Sequence, residues 1–313
     1  MKKISFTGMI LVLSFCFSIL FAQSKSNRQN NKNNTIEKNN TIENTQNDSL
    51  GIKSGADPNK ANPGKAGNSR KKGRPVVFII GDSTVKNGKG DGSNKQWGWG
   101  NFLWQYFDTT KVSFENHALG GRSSRTFISE GLWDKVLSAV QPGDFVIIQF
   151  GHNDAGPLNT GRARASLKGN SDKDTVVIME STQKPETIQS FGWYMRKYAK
   201  DVKARKATPI LLSHIPRNNF VTLDSTQIIR NTSGFGKWTK EAAAMEKVTY
   251  LDFNDRIATR YEKMGKDSVQ LMFKGDHTHT SLAGAQLNAE ILSQMIREQK
   301  NLKLAKWGNK NKK

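Results

Sequence analysis

Runs of apolar residues that end abruptly at polar ones recur along this chain and predict its strands. The first run, 76–80, holds five consecutive apolar residues without polar alternation, which is typical of a strand buried on both faces of a parallel sheet. Gly81, Asp82 and Ser83 follow it directly. Because ligands bind beyond the carboxyl ends of such strands, this junction predicts a serine displayed at the edge of a sheet. An ordinary loop with a helix-capping serine is the alternative.

Four more apolar runs alternate with helical patterns, which predicts a single α/β domain with helices on both faces of a five-stranded parallel sheet, in three layers. The aromatic residues between 96 and 107 also follow helical spacing, and 156–185 is expected to be an irregular loop beside a cleft. The remaining strands are expected at 111–117, 145–150, 209–214 and 248–252, and the helices at 129–140, 186–206, 237–246, 254–264 and 281–299.

The first 22 residues have the pattern of a secretory signal peptide. Two lysines open the chain, an apolar run at 9–21 follows, and Ala22 supplies the small residue before a cleavage site. The run is shorter than the ~20 residues that a membrane span needs. A lipoprotein signal at Cys16 is disfavoured because the bulky Phe15 precedes that cysteine. We therefore expect export to the periplasm or the cell exterior, without stable membrane insertion of the mature chain.

Composition changes sharply after the predicted signal peptide. Residues 23–74 are rich in Asn, Lys, Ser and Gly and contain no aromatic residue, which predicts a disordered linker. The folded domain is expected at 75–304, followed by a frayed basic tail at 305–313. The linker holds 11 basic and 4 acidic residues, and the whole chain carries a net charge of +21. Such a charge favours an anionic partner, although a solvated lysine-rich surface explains it equally well.

A C-terminal segment supplies partners for the Ser83 hydroxyl. A serine becomes a good nucleophile when a base takes its proton and a third group fixes the tautomer of that base. Asp276 and His279 suit these roles, since their spacing in a tight turn lets the carboxylate accept from Nδ1 while Nε2 faces Ser83. A metal site at Asp276, His277 and His279 is the alternative, but no further ligand stands out in the sequence. We expect neither a metal nor a cofactor.

Four motifs occur in an order that resembles the conserved blocks of the SGNH (GDSL-like) hydrolases. The resemblance runs from about residue 76 to the last helix and implies a flavodoxin-like α/β/α fold with Ser83, Asp276 and His279 as the catalytic triad. It assigns the oxyanion hole to the amides of Ser83 and Gly121 and to the side chain of Asn153, donors that acyl transfer requires. The motifs are Gly81-Asp82-Ser83, Asn116-His117-Ala118-Leu119-Gly120-Gly121-Arg122-Ser123, Gly151-His152-Asn153-Asp154 and Asp276-His277-Thr278-His279.

Five segments look more specifically like the rhamnogalacturonan acetylesterase branch, which removes acetyl groups from pectic polysaccharide. The resemblance implies an exported serine esterase, expected to be a monomer, that acts on an acetylated and anionic polysaccharide rather than on nucleic acid. Acetylated xylan, a lipid ester, or binding of carbohydrate without catalysis are the alternatives. The segments are 81–85, 120–127, 149–154, 191–194 and 216–218.

Several side chains near the motifs are candidates for substrate contacts. Arg122, Arg125 and Arg217 would pair with substrate carboxylates, and salt bridges within the protein are the alternative for each. Trp97 and Trp99 would stack on sugars, although packing in the core is the commoner fate of such aromatics. His152 is a further candidate, and we prefer for it, as for Asp154, a role in holding the Asn153 loop.

Overall fold

Five parallel strands form the central sheet, and two further strands form a separate antiparallel hairpin. The sheet order is β2-β1-β3-β6-β7, and the hairpin pairs β4 with β5. Every residue of β1 and β3 is buried. The strands are β1 (Val76–Gly81), β2 (Ser113–Asn116), β3 (Phe145–Gln149), β4 (Asp174–Ile178), β5 (Pro185–Gln189), β6 (Thr208–Leu212) and β7 (Thr249–Leu251).

Helices cover both faces of the sheet. On one face, apolar side chains of β1, β3 and β6 pack against α1 to α4. On the other, α5 and α7 pack together, and Trp99 reaches from a 3-10 turn to bond Gln149 on β3. The prediction of a three-layer fold with flavodoxin-like strand order is confirmed. The helices are α1 (Thr126–Ser129), α2 (Leu132–Ala139), α3 (Phe191–Ala204), α4 (Phe235–Glu246), α5 (Phe253–Met264), α6 (Lys266–Leu271) and α7 (Leu282–Glu298).

This computed structural model describes residues 67, 69–88, 92, 94–273 and 275–309. The predicted signal peptide lies outside the described residues, and so does the predicted linker as far as residue 66. Within the described part, no helix is both long enough and apolar enough to cross a membrane.

The aromatic segment at 96–107, which has helical spacing, forms two short 3-10 helices, Trp99–Asn101 and Leu103–Tyr106, in place of one continuous α-helix. Two glycines explain the difference. A Cβ on Gly98 would lie 2.2 Å from the carbonyl carbon of Val85, and one on Gly100 would lie 2.7 Å from its oxygen. The segment is pressed against the loop after β1, and this close approach sets its path instead of helical propensity.

The region expected to be an irregular loop contains the β4-β5 hairpin, and the helix expected from residue 186 begins at Phe191. β-branched residues dominate β4 and favour the extended conformation. Ser190 then ends the hairpin and caps α3, since its side chain accepts a hydrogen bond from the Trp193 amide. The helix expected at 129–140 is likewise divided into α1 and α2 at Gly131, which has a φ of 68°.

Both ends of the predicted domain extend further than composition suggests. Arg70, placed in the disordered linker by its composition, forms a 2.5 Å ion pair with the buried Asp144. Residues 305–309, placed in a frayed tail, are also packed: the Trp307 ring meets Phe145 edge-on, and the Asn309 amide donates to the Tyr106 carbonyl. Parts of 69–74 and 305–309 are therefore packed against the domain, because distant parts of the chain supply their partners.

Candidate active site

The predicted site residues follow three neighbouring strands at the carboxyl edge of the sheet. Ser83 comes after β1, Gly121 after β2 and Asn153 after β3, and these strands are adjacent in the order β2-β1-β3. The turn that holds His279 precedes α7, and Thr280 in this turn pairs with Trp97 in the loop after β1. The topology therefore brings the four predicted motifs to one edge.

The triad residues form a continuous chain of hydrogen bonds. Ser83 Oγ lies 2.9 Å from His279 Nε2, and His279 Nδ1 donates to Asp276 Oδ2 over 2.6 Å. The second carboxylate oxygen of Asp276 accepts the amides of Thr278 at 2.6 Å and His279 at 2.7 Å. The carboxylate thus fixes both the turn and the imidazole, and it leaves Nε2 facing the serine.

The Asp276 carboxyl group is held in its charged form. Partial burial raises its pKa, but the hydrogen bonds from the His279 ring and from the two amides together outweigh burial and lower the pKa below its usual value. At neutral pH a carboxylate therefore stands beside Nδ1, which keeps the proton on that nitrogen.

A buried aspartate sets the position of Ser83. Asp82 Oδ1 accepts the Thr84 amide at 2.9 Å and the Thr84 hydroxyl at 2.8 Å, and its backbone carbonyl accepts the Val85 amide. Burial raises the pKa of Asp82, and the hydrogen bonds from Thr84 oppose this only in part. Gly81 is needed at the end of β1, since a Cβ there would lie 2.6 Å from the Gln149 carbonyl. Together these contacts turn the chain sharply and present the serine.

The loops after β1, β2 and β3 each carry one of the predicted oxyanion donors: the Ser83 amide, the Gly121 amide and the Asn153 side chain. The loop after β2 passes close to the serine, because a Cβ on Gly120 would lie 3.5 Å from Ser83 Cβ. Among the described residues, no protein acceptor meets the amide N–H of Ser83 or of Gly121. Asn153 Nδ2 uses one hydrogen to bond the Arg122 carbonyl at 3.0 Å, which leaves its second hydrogen for a ligand. These groups are the donors that the sequence predicts for an oxyanion hole.

Asp154 joins the loops that carry Gly121 and Asn153. It is fully buried and accepts the Ser124 amide at 3.0 Å and the Ser124 hydroxyl. Burial raises its pKa to about 7, against the opposing hydrogen bonds from Ser124. Asp154 thus makes the kind of supporting contacts that were expected of it. Its partner Ser124 was not predicted, because a serine between arginines gives no separate signal in the sequence.

Of the predicted carboxylate partners, Arg122 and Arg125 are engaged inside the protein. Arg122 Nε pairs with Glu130 at 2.8 Å, and the fully buried Arg125 pairs with Glu186 at 2.8 Å. Internal salt bridges, the alternative for both, are present, and a substrate contact of the partly exposed Arg122 stays a prediction. Glu130 lies 8 residues and Glu186 lies 61 residues from its arginine, so no local sequence pattern predicts these pairs.

The two tryptophans differ in exposure. Trp99 is fully buried and its Nε1 donates to Gln149, so the structure places it in the core. Trp97 is half-buried beside the His279 turn, and its amide donates to the Thr280 carbonyl at 3.1 Å. Its ring is partly covered, since a Cβ on Gly92 would lie 2.2 Å from it. Stacking of Trp97 on a sugar stays a prediction.

The other two candidate contacts, His152 and Arg217, line one cleft. The cleft has a volume of about 310 Å³, and Arg217 is exposed at its wall. It lies near the turn that holds the His279 ring, because Asn218, next to the lining residue Arg217, donates its amide to the His277 carbonyl over 2.8 Å. Among the described residues, no group of three His, Cys, Asp or Glu side chains could hold a metal ion.

Burial keeps the imidazole of His152 uncharged. It packs against the His214 ring at 4.6 Å between centroids, and His214 Nε2 accepts a hydrogen bond from Asn231. Burial, with the nearby charge of Arg217, lowers the pKa of His152 to about 3. Burial also lowers the pKa of His214 well below its usual value. Both rings therefore enter the cleft as neutral groups.

His152 is expected to make the protein less stable in acid. Its pKa is about 6.5 when unfolded and about 3 when folded, so its contribution is intact above pH 6.5 and is lost as the pH falls toward 3. Between pH 7 and pH 4.5 the free energy of unfolding should fall by about 2.5 kcal/mol more in wild type than in His152→Gln. Urea unfolding at both pH values measures this difference, and equal losses in the two proteins would contradict it.

Comparison with known proteins agrees with this site. The model of the GDSL-like lipase/acylhydrolase family matches residues 79–287. Rhamnogalacturonan acetylesterase of Emericella nidulans is 28% identical over 221 residues, covering 71% of this chain and 84% of that protein. Rhamnogalacturonan acetylesterase RhgT of Bacillus subtilis is 27% identical over 241 residues, covering 72% and 91%.

A solved structure shows the same similarity. The crystal structure of protein YxiM from Bacillus subtilis has a TM-score of 0.58 and 25% identity, and the match covers 72% of this chain and 57% of that one. The family model begins within β1, continues past β7 and includes all four motifs of the site. The chain therefore belongs to the GDSL-like lipase/acylhydrolase family and is a carboxylic ester hydrolase.

Proposed function

We propose that this protein removes O-acetyl groups from polysaccharide, with acetylated rhamnogalacturonan as its substrate, through an acetyl-enzyme on Ser83. The observation that carries the proposal is the hydrogen-bond chain from Ser83 through His279 to Asp276, with links of 2.9 and 2.6 Å. The similarity to rhamnogalacturonan acetylesterases of a fungus and a bacterium supports the reaction and the substrate class.

In the first half of the reaction, Ser83 Oγ attacks the acetyl carbonyl carbon while its proton passes to His279 Nε2. Asp276 stabilises the resulting imidazolium. The oxyanion accepts hydrogen bonds from the Ser83 and Gly121 amides and from Asn153. The bond between the acetyl carbon and the sugar oxygen then breaks, the sugar oxygen takes the proton from Nε2, and the acetyl group stays on Ser83.

In the second half, water enters the place of the sugar and gives a proton to His279 as its oxygen bonds the acetyl carbon. Collapse of this intermediate releases acetate and returns the proton to Ser83. The donors that stabilise the first oxyanion also stabilise the second, since the acetyl carbonyl oxygen keeps its place throughout.

The cleft and the net charge support an anionic polysaccharide. Arg217 is exposed on the cleft near the His279 turn, and a planar guanidinium pairs well with a sugar carboxylate. The positive net charge, +21 for the whole chain with Lys2 and Lys3 included, would also draw a polyanion toward the protein. In this proposal the enzyme acts as a monomer. It acts outside the cytoplasm, as the pattern of residues 1–22 suggests, and mass spectrometry of the exported chain should find Gln23 at its N-terminus.

Acetate release from three substrates tests the proposed function. The purified protein should show its highest kcat/KM on acetylated rhamnogalacturonan, compared with acetylated xylan and a short aryl acetate. Preference for xylan would keep the reaction and overturn the substrate. Faster cleavage of a long-chain counterpart of the aryl ester, added as a control, would favour a lipid esterase. Binding of polysaccharide without acetate release would overturn catalysis altogether. Ser83→Ala, assayed in parallel, excludes activity from a contaminating esterase.

A further inference from the structure

The side chain of Arg122 lies behind the peptide group that carries one of the proposed oxyanion donors. Arg122 Nη1 donates to the Gly120 carbonyl at 3.0 Å. That carbonyl and the Gly121 N–H belong to the same planar trans peptide group, so they point in opposite directions. The guanidinium therefore binds one end of the group, and the other end is left for the substrate oxygen.

The position of this peptide group beside Ser83 is fixed from both sides. The Leu119 amide donates to the Gly81 carbonyl at 3.0 Å, which ties the loop to the end of β1. The Arg122 amide donates to the Leu119 carbonyl at 3.3 Å and closes the turn, in which Gly121 has a φ of 79°. A left-handed conformation of this kind favours glycine, so the sequence places a glycine where the donor is needed.

We propose that Arg122 is a positioning residue that strengthens and orients the Gly121 donor for the oxyanion. A charged donor on a carbonyl makes a stronger hydrogen bond than a neutral one, and it polarises the peptide group so that its N–H becomes a better donor. The orientation is set before the reaction starts, so it costs nothing when the oxyanion forms. This inference rests on the proposed esterase function.

Two further contacts make Arg122 well suited to this role. Its backbone carbonyl accepts the Asn153 side chain at 3.0 Å, so one residue contacts two of the three proposed donors. Its Nε is held by Glu130 at 2.8 Å, which fixes the guanidinium in place. The sequence suggested that Arg122 binds a substrate carboxylate, but these contacts direct the guanidinium toward the peptide group.

Arg164 offers a matched control one peptide group further along. Its Nη1 donates to the Gly121 carbonyl at 3.2 Å. The N–H of that peptide group belongs to Arg122 and is already bonded to the Leu119 carbonyl. Arg164 therefore makes the same type of contact as Arg122 in the same loop, but the N–H of the peptide group that it polarises is not available to an oxyanion.

Kinetics with an aryl acetate, which carries no carboxylate, tests the proposal. Arg122→Gln should lower kcat by about 10- to 50-fold with KM within twofold, because losing a whole oxyanion donor costs about 10²- to 10³-fold and here the donor is weakened. Arg164→Gln should change kcat less than threefold, and Arg122→Lys should recover part of the loss. Arg122 and Glu130 are 34% and 41% exposed, so the unfolding temperature should hardly change.

A boronic acid that forms a tetrahedral adduct with Ser83 supplies a second readout, because its oxygen occupies the oxyanion hole. Its inhibition constant should rise with Arg122→Gln in step with the loss in kcat. An unchanged kcat on aryl acetate with a raised KM for rhamnogalacturonan would overturn the proposal and make Arg122 a substrate contact. An equal loss in Arg164→Gln, or a large fall in unfolding temperature, would make its role structural. An inactive wild type would overturn the proposed function and this inference with it.

Discussion

Replacing Ser83 or His279 with alanine is expected to lower kcat for acetate release by about 10⁶-fold, and the double replacement should cost no more than either one alone. The two side chains are linked by a 2.9 Å hydrogen bond and work as one unit. Without His279 the serine proton has no acceptor, and without Ser83 the imidazole has no nucleophile to activate. Steady-state kinetics on an aryl acetate measures the effect, and mass spectrometry of quenched reactions detects the acetyl-enzyme.

His277→Ala is the matched control for this prediction. His277 lies in the same turn and is exposed. Its hydrogen bond with Asn218 uses its backbone carbonyl and not its ring. Its loss should leave kcat within about twofold. A metal centre built on Asp276, His277 and His279 would instead lose activity equally with either histidine. An additive loss in the double variant would show that Ser83 and His279 act separately.

The strands were predictable because the sheet is buried on both faces. A short unbroken apolar run rich in β-branched residues, such as the one at 76–80, is typical of a strand buried on both faces. The polar loops that follow β1, β2 and β3 carry predicted site residues. The contact between Ser83 and His279 joins residues 196 positions apart, and only the order of the motifs foresaw it. Sequence patterns therefore located both the sheet and the residues at its functional edge.

Partners far apart in sequence account for what pattern reading missed. Arg70 belongs by composition to a disordered linker, but its partner Asp144 lies 74 residues away. The internal contacts of Arg122 were not predicted either, because the turn that brings the Gly120 carbonyl to its guanidinium gives no separate signal in the sequence. The 3-10 turns near Trp99 also depend on a distant backbone, that of Val85. Hydrophobic periodicity indicates which face of a strand or helix is buried, but it does not identify the residue that contacts that face.

Burial pushes three titratable groups around the site toward their neutral forms. It raises the pKa of Asp82 and of Asp154, and it lowers the pKa of His152, so each of these groups is pushed toward its neutral form. The pKa of Asp276 alone among these four moves in the direction that favours charge. The negative charge beside the imidazole is therefore supplied by a carboxylate that three hydrogen bonds hold ionised.

Asp276→Asn is expected to lower kcat by about 10⁴-fold while the fold stays intact. The asparagine oxygen can keep the bonds from the Thr278 and His279 amides that Asp276 Oδ1 now accepts. Its NH₂ group would take the place of Oδ2 and donate to His279 Nδ1, which forces the ring proton onto Nε2. A protonated Nε2 cannot accept the proton of Ser83, so the imidazole would be present but in the wrong tautomer.

Proton NMR of the imidazole separates this explanation from a structural one. Wild type should show a strongly downfield signal from the Nδ1–H that donates to Asp276 over 2.6 Å, and the variant should lose it while its unfolding temperature stays close to that of wild type. A loss of activity with a large fall in unfolding temperature would mean that Asp276 mainly holds the turn. Unchanged activity would show that the carboxylate does not orient His279, which would remove the third member of the proposed triad.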